Sequence, residues 1–140
     1  MNIDDYSSPP MVGNALLSCL RRLLSWAMFL AVPLVLLYVF GFSIKTSEEY
    51  ACVLQIAEST PEIIEITGEP VSPGTFAWIS YFESGGGERQ GAFATALTGP
   101  QGKGTLKAQF YRTPIGAQLG VWFKTSAGEI EIYNSTYPCP

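Results

Sequence analysis

The spacing of apolar residues changes twice along this chain, and each change predicts a different kind of element. Between Arg22 and Lys45 every residue is uncharged, in the run LLSWAMFLAVPLVLLYVFGFSI. As a helix this run is about 33 Å long, against a hydrocarbon core of about 30 Å. It predicts a transmembrane helix over 21–45, with Pro33 tolerable inside a membrane helix. After Thr46 the period becomes that of a surface helix. Tyr50, Val53, Leu54 and Ala57 recur at i, i+3, i+4 and i+7 and give one apolar face. Thr46 and Glu49 fit a capping box at its start. The segment STPEIIEITG predicts a second, shorter helix, with Thr60 as cap, Pro61 in the first turn and Gly68 ending it in a left-handed conformation. Ile63, Ile64 and Ile66 form its apolar side.

From Glu69 the period falls to two. TFAWISYFE, QGAFATAL, TLKAQFYR, AQLGVWFKT and EIEIY are strand-like, and SGGGER, TGPQGKG, TPIG and SAG supply the turns between them. Leu106, Ala108 and Phe110 alternate with Lys107, Gln109 and Tyr111, and Leu119, Val121 and Phe123 alternate with Gln118, Gly120 and Trp122. One face in and one face wet is the pattern of an antiparallel sheet covered on one side by helices. The expected fold is therefore α+β: a single N-terminal transmembrane helix, then two short helices packed on a roughly five-stranded antiparallel meander sheet. Its divisions are a cytoplasmic tail over 1–20, the transmembrane helix over 21–45, an outer-face α+β domain over 46–134 and a C-terminal tail over 135–140. Trp78, Tyr81, Phe110, Tyr111, Trp122 and Phe123 are expected to pack the sheet, and any left exposed would mark a protein-binding patch.

Charge sets the orientation. Arg21 and Arg22 precede the apolar run, while Lys45 is soon followed by Glu48 and Glu49, so the N-terminus is expected inside and the α+β head outside. The run is too long for a signal-peptide core and no small-residue cleavage site follows it, which predicts an uncleaved anchor. The first segment, MNIDDYSSPPMVGN, is acidic and lacks arginine, unlike a mitochondrial presequence. The expected location is a bacterial inner membrane with a periplasmic C-terminal domain, or the mitochondrial inner-membrane equivalent. From Thr46 onward five Lys and Arg face ten Glu, a net charge of −5 that repels nucleic acid and anionic surfaces.

Catalytic chemistry is sparse. The chain has no histidine, which removes imidazole bases, His metal ligands and His-dependent nucleophile systems. The two aspartates, Asp4 and Asp5, lie in the N-terminal tail. Glu129 and Glu131 fall on the wet side of a strand, and Glu62, Glu65 and Glu69 follow helical spacing. Met1, Met11 and Met28 lie at or before the apolar run and no CxxC occurs, so a soft-metal site has no ligands. No catalytic residue, cofactor or metal is expected. Cys52 and Cys139 would both face an oxidising compartment: they either pair, or Cys52 is simply buried in its helix while Cys139 ends a frayed tail.

The stretch LTGPQGKGTL raises the question of a phosphate loop. Leu97 stands where a Walker loop needs its first glycine, and Gly104 where it needs the hydroxyl that binds magnesium. A strand pattern follows instead of a helix, so the stretch predicts a turn and no nucleotide.

Pro61, Gly68-Glu69-Pro70, and Gly99-Pro100 with Gly102-Lys103-Gly104 form a more specific constellation with the preceding span, the later strand bearing Trp122 and the terminal EIEIY. Over residues 48–133 it resembles the cytochrome c oxidase assembly factor 1 family in its bacterial form. The related subunit of the mitochondrial presequence translocase is similar in plan. The resemblance implies a single-pass inner-membrane protein with a small outer α+β head. By that resemblance it is a non-catalytic assembly factor that contacts respiratory oxidase subunits, its motif residues being structural. Gly85 to Gly87 and the tail YNSTYPCP depart from the family pattern. Two other readings stand beside it: a permanent accessory subunit of a respiratory membrane complex, and an outer-face ligand-binding protein or small hydrolase.

Overall fold

The structure is a computed structural model that describes residues 12–139 and divides between Val35 and Leu36 into two compact units. Helix α1 (Val12–Gly41) contains Pro33. Its stretch Ala15–Gly41 has a mean hydropathy of 2.3 and is long and apolar enough to cross a membrane. The tail expected over 1–20 lies outside the described residues up to position 11. From Val12 it is helix, so Arg21 and Arg22 sit within α1 and not ahead of it.

At its other end α1 stops at Gly41, short of the predicted boundary, and Ser43–Thr46 forms a 3-10 turn. Ile44 is buried in the head, where it belongs to the core. The reason is Lys45, whose ammonium donates to the carbonyls of Gly74 and Thr75 at 2.8 and 3.2 Å and draws this turn onto the first strand.

Helices α2 (Glu48–Ser59) and α3 (Pro61–Thr67) follow. The cap of α2 is Ser47, whose hydroxyl accepts from the Tyr50 N–H at 3.2 Å. The predicted Thr46–Glu49 box does not form, because Thr46 Oγ1 donates to the Ser43 carbonyl and Glu49 turns into the head. Thr60 occupies the cap position of α3 without a capping bond, its hydroxyl donating to the Ile56 carbonyl at 2.6 Å. Gly68 ends α3 at a positive φ of 76°, as a glycine stop requires, but its ψ of 164° lies outside the left-handed helical region.

Strands β1 (Ser72–Gly85), β2 (Glu88–Thr98), β3 (Lys103–Thr113), β4 (Gly116–Thr125) and β5 (Gly128–Thr136) make one sheet in the order β1-β2-β3-β4-β5, antiparallel throughout. The expected α+β meander is present. Residues 135–139 are not a separate tail, since β5 runs to Thr136 and Cys139 packs against the core. The row Phe93, Ala108, Val121 and Tyr133 faces the helices, and the row Ala94, Lys107, Trp122 and Glu131 faces away. An irregularity between Ile79 and Tyr81 shifts the β1 register, so that Tyr81 joins the outward side opposite Ala92. Val53, Ala57 and Ile63 from the helices close over Phe93, Leu106, Phe110 and Phe123, each fully buried Val, Ile, Leu or Phe side chain contributing about 1.5–3 kcal/mol.

Candidate interaction face

The two helices cover one side of the sheet and leave the other to solvent. Of the six aromatics expected to pack the sheet, Phe110 and Phe123 do so, while Trp78, Tyr81 and Tyr111 remain 49%, 41% and 44% exposed and Trp122 is half-buried. The alternation predicted two faces correctly, but both faces of β3 and β4 carry rings. Gly120 makes room for this arrangement: a Cβ there would run into the indole of Trp122, which lies across it. Gln109 Nε2 donates to Tyr81 Oη at 3.0 Å, tying β3 to β1 across the intervening strand. Gln109, Tyr111, Gln118, Gly120, Trp122 and Asn134 line a depression of about 210 Å³. That is below the roughly 300–1,000 Å³ of ordinary small-molecule sites. Aromatic rings interleaved with uncharged amides are the composition of a protein-binding patch.

Farther along the same strands Lys103, Lys107 and Lys124 border a wider, open hollow of about 490 Å³. Lys107 is paired with Glu129 on β5, so it does not add a free cation there.

The residues singled out in the two glycine motifs meet, and what they build is a latch. The turn between β2 and β3 sits on the C-terminal end of α3, where the N–H groups of Gln101 and Gly102 donate to the Thr67 carbonyl at 2.8 and 3.3 Å. These bonds occupy a helix-end carbonyl that has no partner within its own helix. A Cβ on Gly99 would collide with the carbonyl oxygens of Thr67 and Gly68, and one on Gly102 with that of Ile66. Pro61 opens α3, Pro100 and Gln101 lie against Gly68, and the Glu69–Pro70 peptide is cis. Gly104 lies beneath the ring of Phe123. The Gln101 and Gly102 amides face the helix end and the Gly99 amide closes the turn on the Gly102 carbonyl, which leaves Lys103 as an exposed strand residue at its edge.

A charged cluster on the helix side escaped the sequence reading. Glu49 is wholly buried and accepts from Arg112 Nη1 at 3.1 Å and from Arg89 Nη2 at 3.2 Å, while Arg112 also reaches Glu48 at 3.2 Å. Arg89 and Arg112 are direct cross-strand partners. Two like charges in that position repel, and a carboxylate between them removes the penalty. The register would have exposed this, but no local pattern did. Cys52 and Cys139 are joined by a disulfide with a Cα–Cα distance of 5.8 Å across 87 positions of sequence. Closing so long a loop restricts the unfolded chain by about 4–5 kcal/mol in the chain-entropy account. The link brings Tyr137 over Arg112, with the guanidinium 4.8 Å from the ring centre. Burial pushes the Tyr137 hydroxyl above its ordinary pKa, with Arg112 opposing and Glu49 reinforcing the rise. Burial works against the Arg112 charge, but Glu48 and Glu49 hold its pKa above the usual value. Burial also raises Tyr50, partly offset by the neighbouring Thr95 hydroxyl.

Among the described residues no three His, Cys, Asp or Glu side chains gather as a metal ion would need. Neither a protein-family model, nor a curated protein, nor a solved structure matches the chain. Function is therefore read from the chain's own surfaces. The uncovered aromatic face offers contact area and amide hydrogen bonds, while the latch and the charged cluster hold the head together behind it.

Proposed function

We propose that this chain is a single-pass, membrane-anchored, non-catalytic assembly factor for respiratory cytochrome oxidase, working through protein–protein contacts on the outer side. The observation that carries the reading is the uncovered sheet face, on which Tyr81, Tyr111 and Trp122 surround Gln109, Gln118 and Asn134. Rings with few rotatable bonds supply contact energy, and the amides satisfy polar groups of the partner as water is excluded. Three further points support it. The glycine and proline motifs resemble those of the assembly-factor family. Arg21 and Arg22 favour an inside N-terminus. The Cys52–Cys139 link suits an oxidising outer compartment such as the periplasm.

The test is extraction of the tagged full-length protein from its native membranes in mild detergent, with mass spectrometry of the chains that accompany it. Immature oxidase subunits are expected, and the Tyr111→Ala/Trp122→Ala double variant should lose them while keeping the disulfide. Equal stoichiometry with the mature enzyme would make the chain a permanent accessory subunit instead. If no respiratory chain appears even after crosslinking, the assignment fails.

A further inference from the structure

We infer that Phe76 and Trp78 on β1, with Tyr38 and Phe42 at the end of α1, form an aromatic collar that seats the head on the lipid bilayer. The inference rests on the anchor reading of α1, but it concerns the β1 edge of the outward face, which β2 separates from the Tyr111–Trp122 depression. Phe76 and Trp78 are adjacent outward positions of β1, 37% and 49% exposed, and their rings stack with centres 5.4 Å apart. Tyr38 and Phe42 are also exposed and stack at 5.9 Å.

Phe76 and Trp78 lie against Gly41, which Tyr38 and Phe42 flank in sequence. A Cβ on Gly41 would lie 3.1 Å from the Phe76 ring and 3.3 Å from the Trp78 ring. This contact fixes their depth. The uncharged part of α1 runs from Leu23 to Gly41, about 28 Å of helix at about 1.5 Å per residue. A hydrocarbon core is about 30 Å thick, so a span that starts beside Arg22 brings Gly41 to the opposite boundary of the core. Rings touching Gly41 then lie at headgroup level, where indole is favoured because its body is apolar and its N–H remains wet.

The next charged residue, Lys45, does not reach into the headgroups. Its ammonium is held by the Gly74 and Thr75 carbonyls beside this same strand. Attraction to the bilayer is thus through ring burial, and it requires no anionic lipid. That agrees with a head of net charge −5, which an anionic surface would repel.

The test uses the full-length chain reconstituted in phosphatidylcholine vesicles whose acyl chains carry bromine either near the glycerol or near the chain ends. Three single-tryptophan variants retain Trp26, Trp78 or Trp122, the other two tryptophans being replaced by Phe. Disulfide formation on a non-reducing gel verifies that each head is folded. Trp78 is expected to lose roughly half of its emission to shallow bromine and clearly less to deep bromine, with Trp122 unaffected and Trp26 quenched. The difference between the wild-type chain and W78F should give the same result without the other substitutions. If Trp26 is quenched while Trp78 is as insensitive as Trp122, the collar is refuted and the anchor stands. A blue-shifted but unquenched Trp78 would mean that protein, such as a second copy, covers the patch, which also refutes it. An unquenched Trp26 would overturn the anchor reading itself, and the collar with it.

Discussion

Tyr50 shows how single side chains are used in this head. Its ring packs on Phe93 with centres 5.6 Å apart, but its buried hydroxyl has no hydrogen-bond partner among the described residues. The nearby Thr95 hydroxyl donates elsewhere, to the Phe76 carbonyl at 3.0 Å. An unpaired buried hydroxyl costs roughly 1–3 kcal/mol, so Tyr50→Phe should stabilise the head by about 1 kcal/mol, read as a higher urea midpoint. The same hydroxyl gives the pH dependence its sign. Tyr50 and Tyr137 have folded pKa values above the ordinary tyrosine value, so the native state keeps protons that the unfolded chain releases. Their contribution is fully present below about pH 10 and is lost as pH rises through the folded values. Urea midpoints at about pH 8 and about pH 11 should therefore diverge, and the gap should narrow in Tyr50→Phe. An unchanged gap would place the alkaline loss elsewhere. Residue-scale roles were the least legible in the sequence. Thr46 and Ser47 are adjacent hydroxyls, and the glutamate three places after Thr46 made the wrong one attractive. Glu49 is drawn instead to Arg89 and Arg112, far away in sequence, and Ser47 caps without a box.

At the scale of elements, the latch between the β2–β3 turn and α3 leads to a contrast. Gly99→Ala forces a methyl into the Thr67 and Gly68 carbonyls and should cost about 2–3 kcal/mol by displacing the turn. Gly116→Ala meets open space in the β3–β4 turn and should stay within about 0.5 kcal/mol of the parent. Equal effects at the two sites would show that the turn tolerates displacement. The elements themselves were readable. Period-two alternation placed the five strands and the period of 3.6 placed α2, whereas α3 was placed by Pro61 at its start and Gly68 at its end; its apolar side differs from the expected one, since Ile66 is exposed and Thr67 is buried beside Ile63. The covered side of β3 and β4 was written in the alternation, which put Leu106, Ala108 and Phe110 with Leu119, Val121 and Phe123, but the aromatic rings on the wet side were expected to pack the sheet as well. Phe110 and Tyr111 are equally aromatic neighbours, yet one is core and the other surface. The glycines of GPQGKG were readable as a turn, but not as the partner of a helix end, since that contact joins segments separated by a whole hairpin.

For the whole molecule, the proposed topology is testable through its thiols. Cys19 is free and exposed, whereas Cys52 and Cys139 are bonded to each other. With the N-terminus inside, a membrane-impermeant maleimide should leave intact cells unlabelled, or spheroplasts where an outer membrane is present. It should label Cys19 only after lysis. Labelling before lysis would place the N-terminus outside. Hydropathy alone located the apolar helix, since nothing else in a short chain needs so long an uncharged run. It set the far boundary too late, because Phe42 to Lys45 are as uncharged or as long-stemmed as a span's end yet are held by the head. That hold has a consequence beyond the boundary itself. β1 is one of the two outermost strands of an open sheet, and an outermost strand offers its unused carbonyls as a template on which a neighbouring chain can add. With Gly74 and Thr75 already accepting from Lys45, two carbonyls near the start of β1 are taken, which makes that end of the strand a poorer template for a second copy.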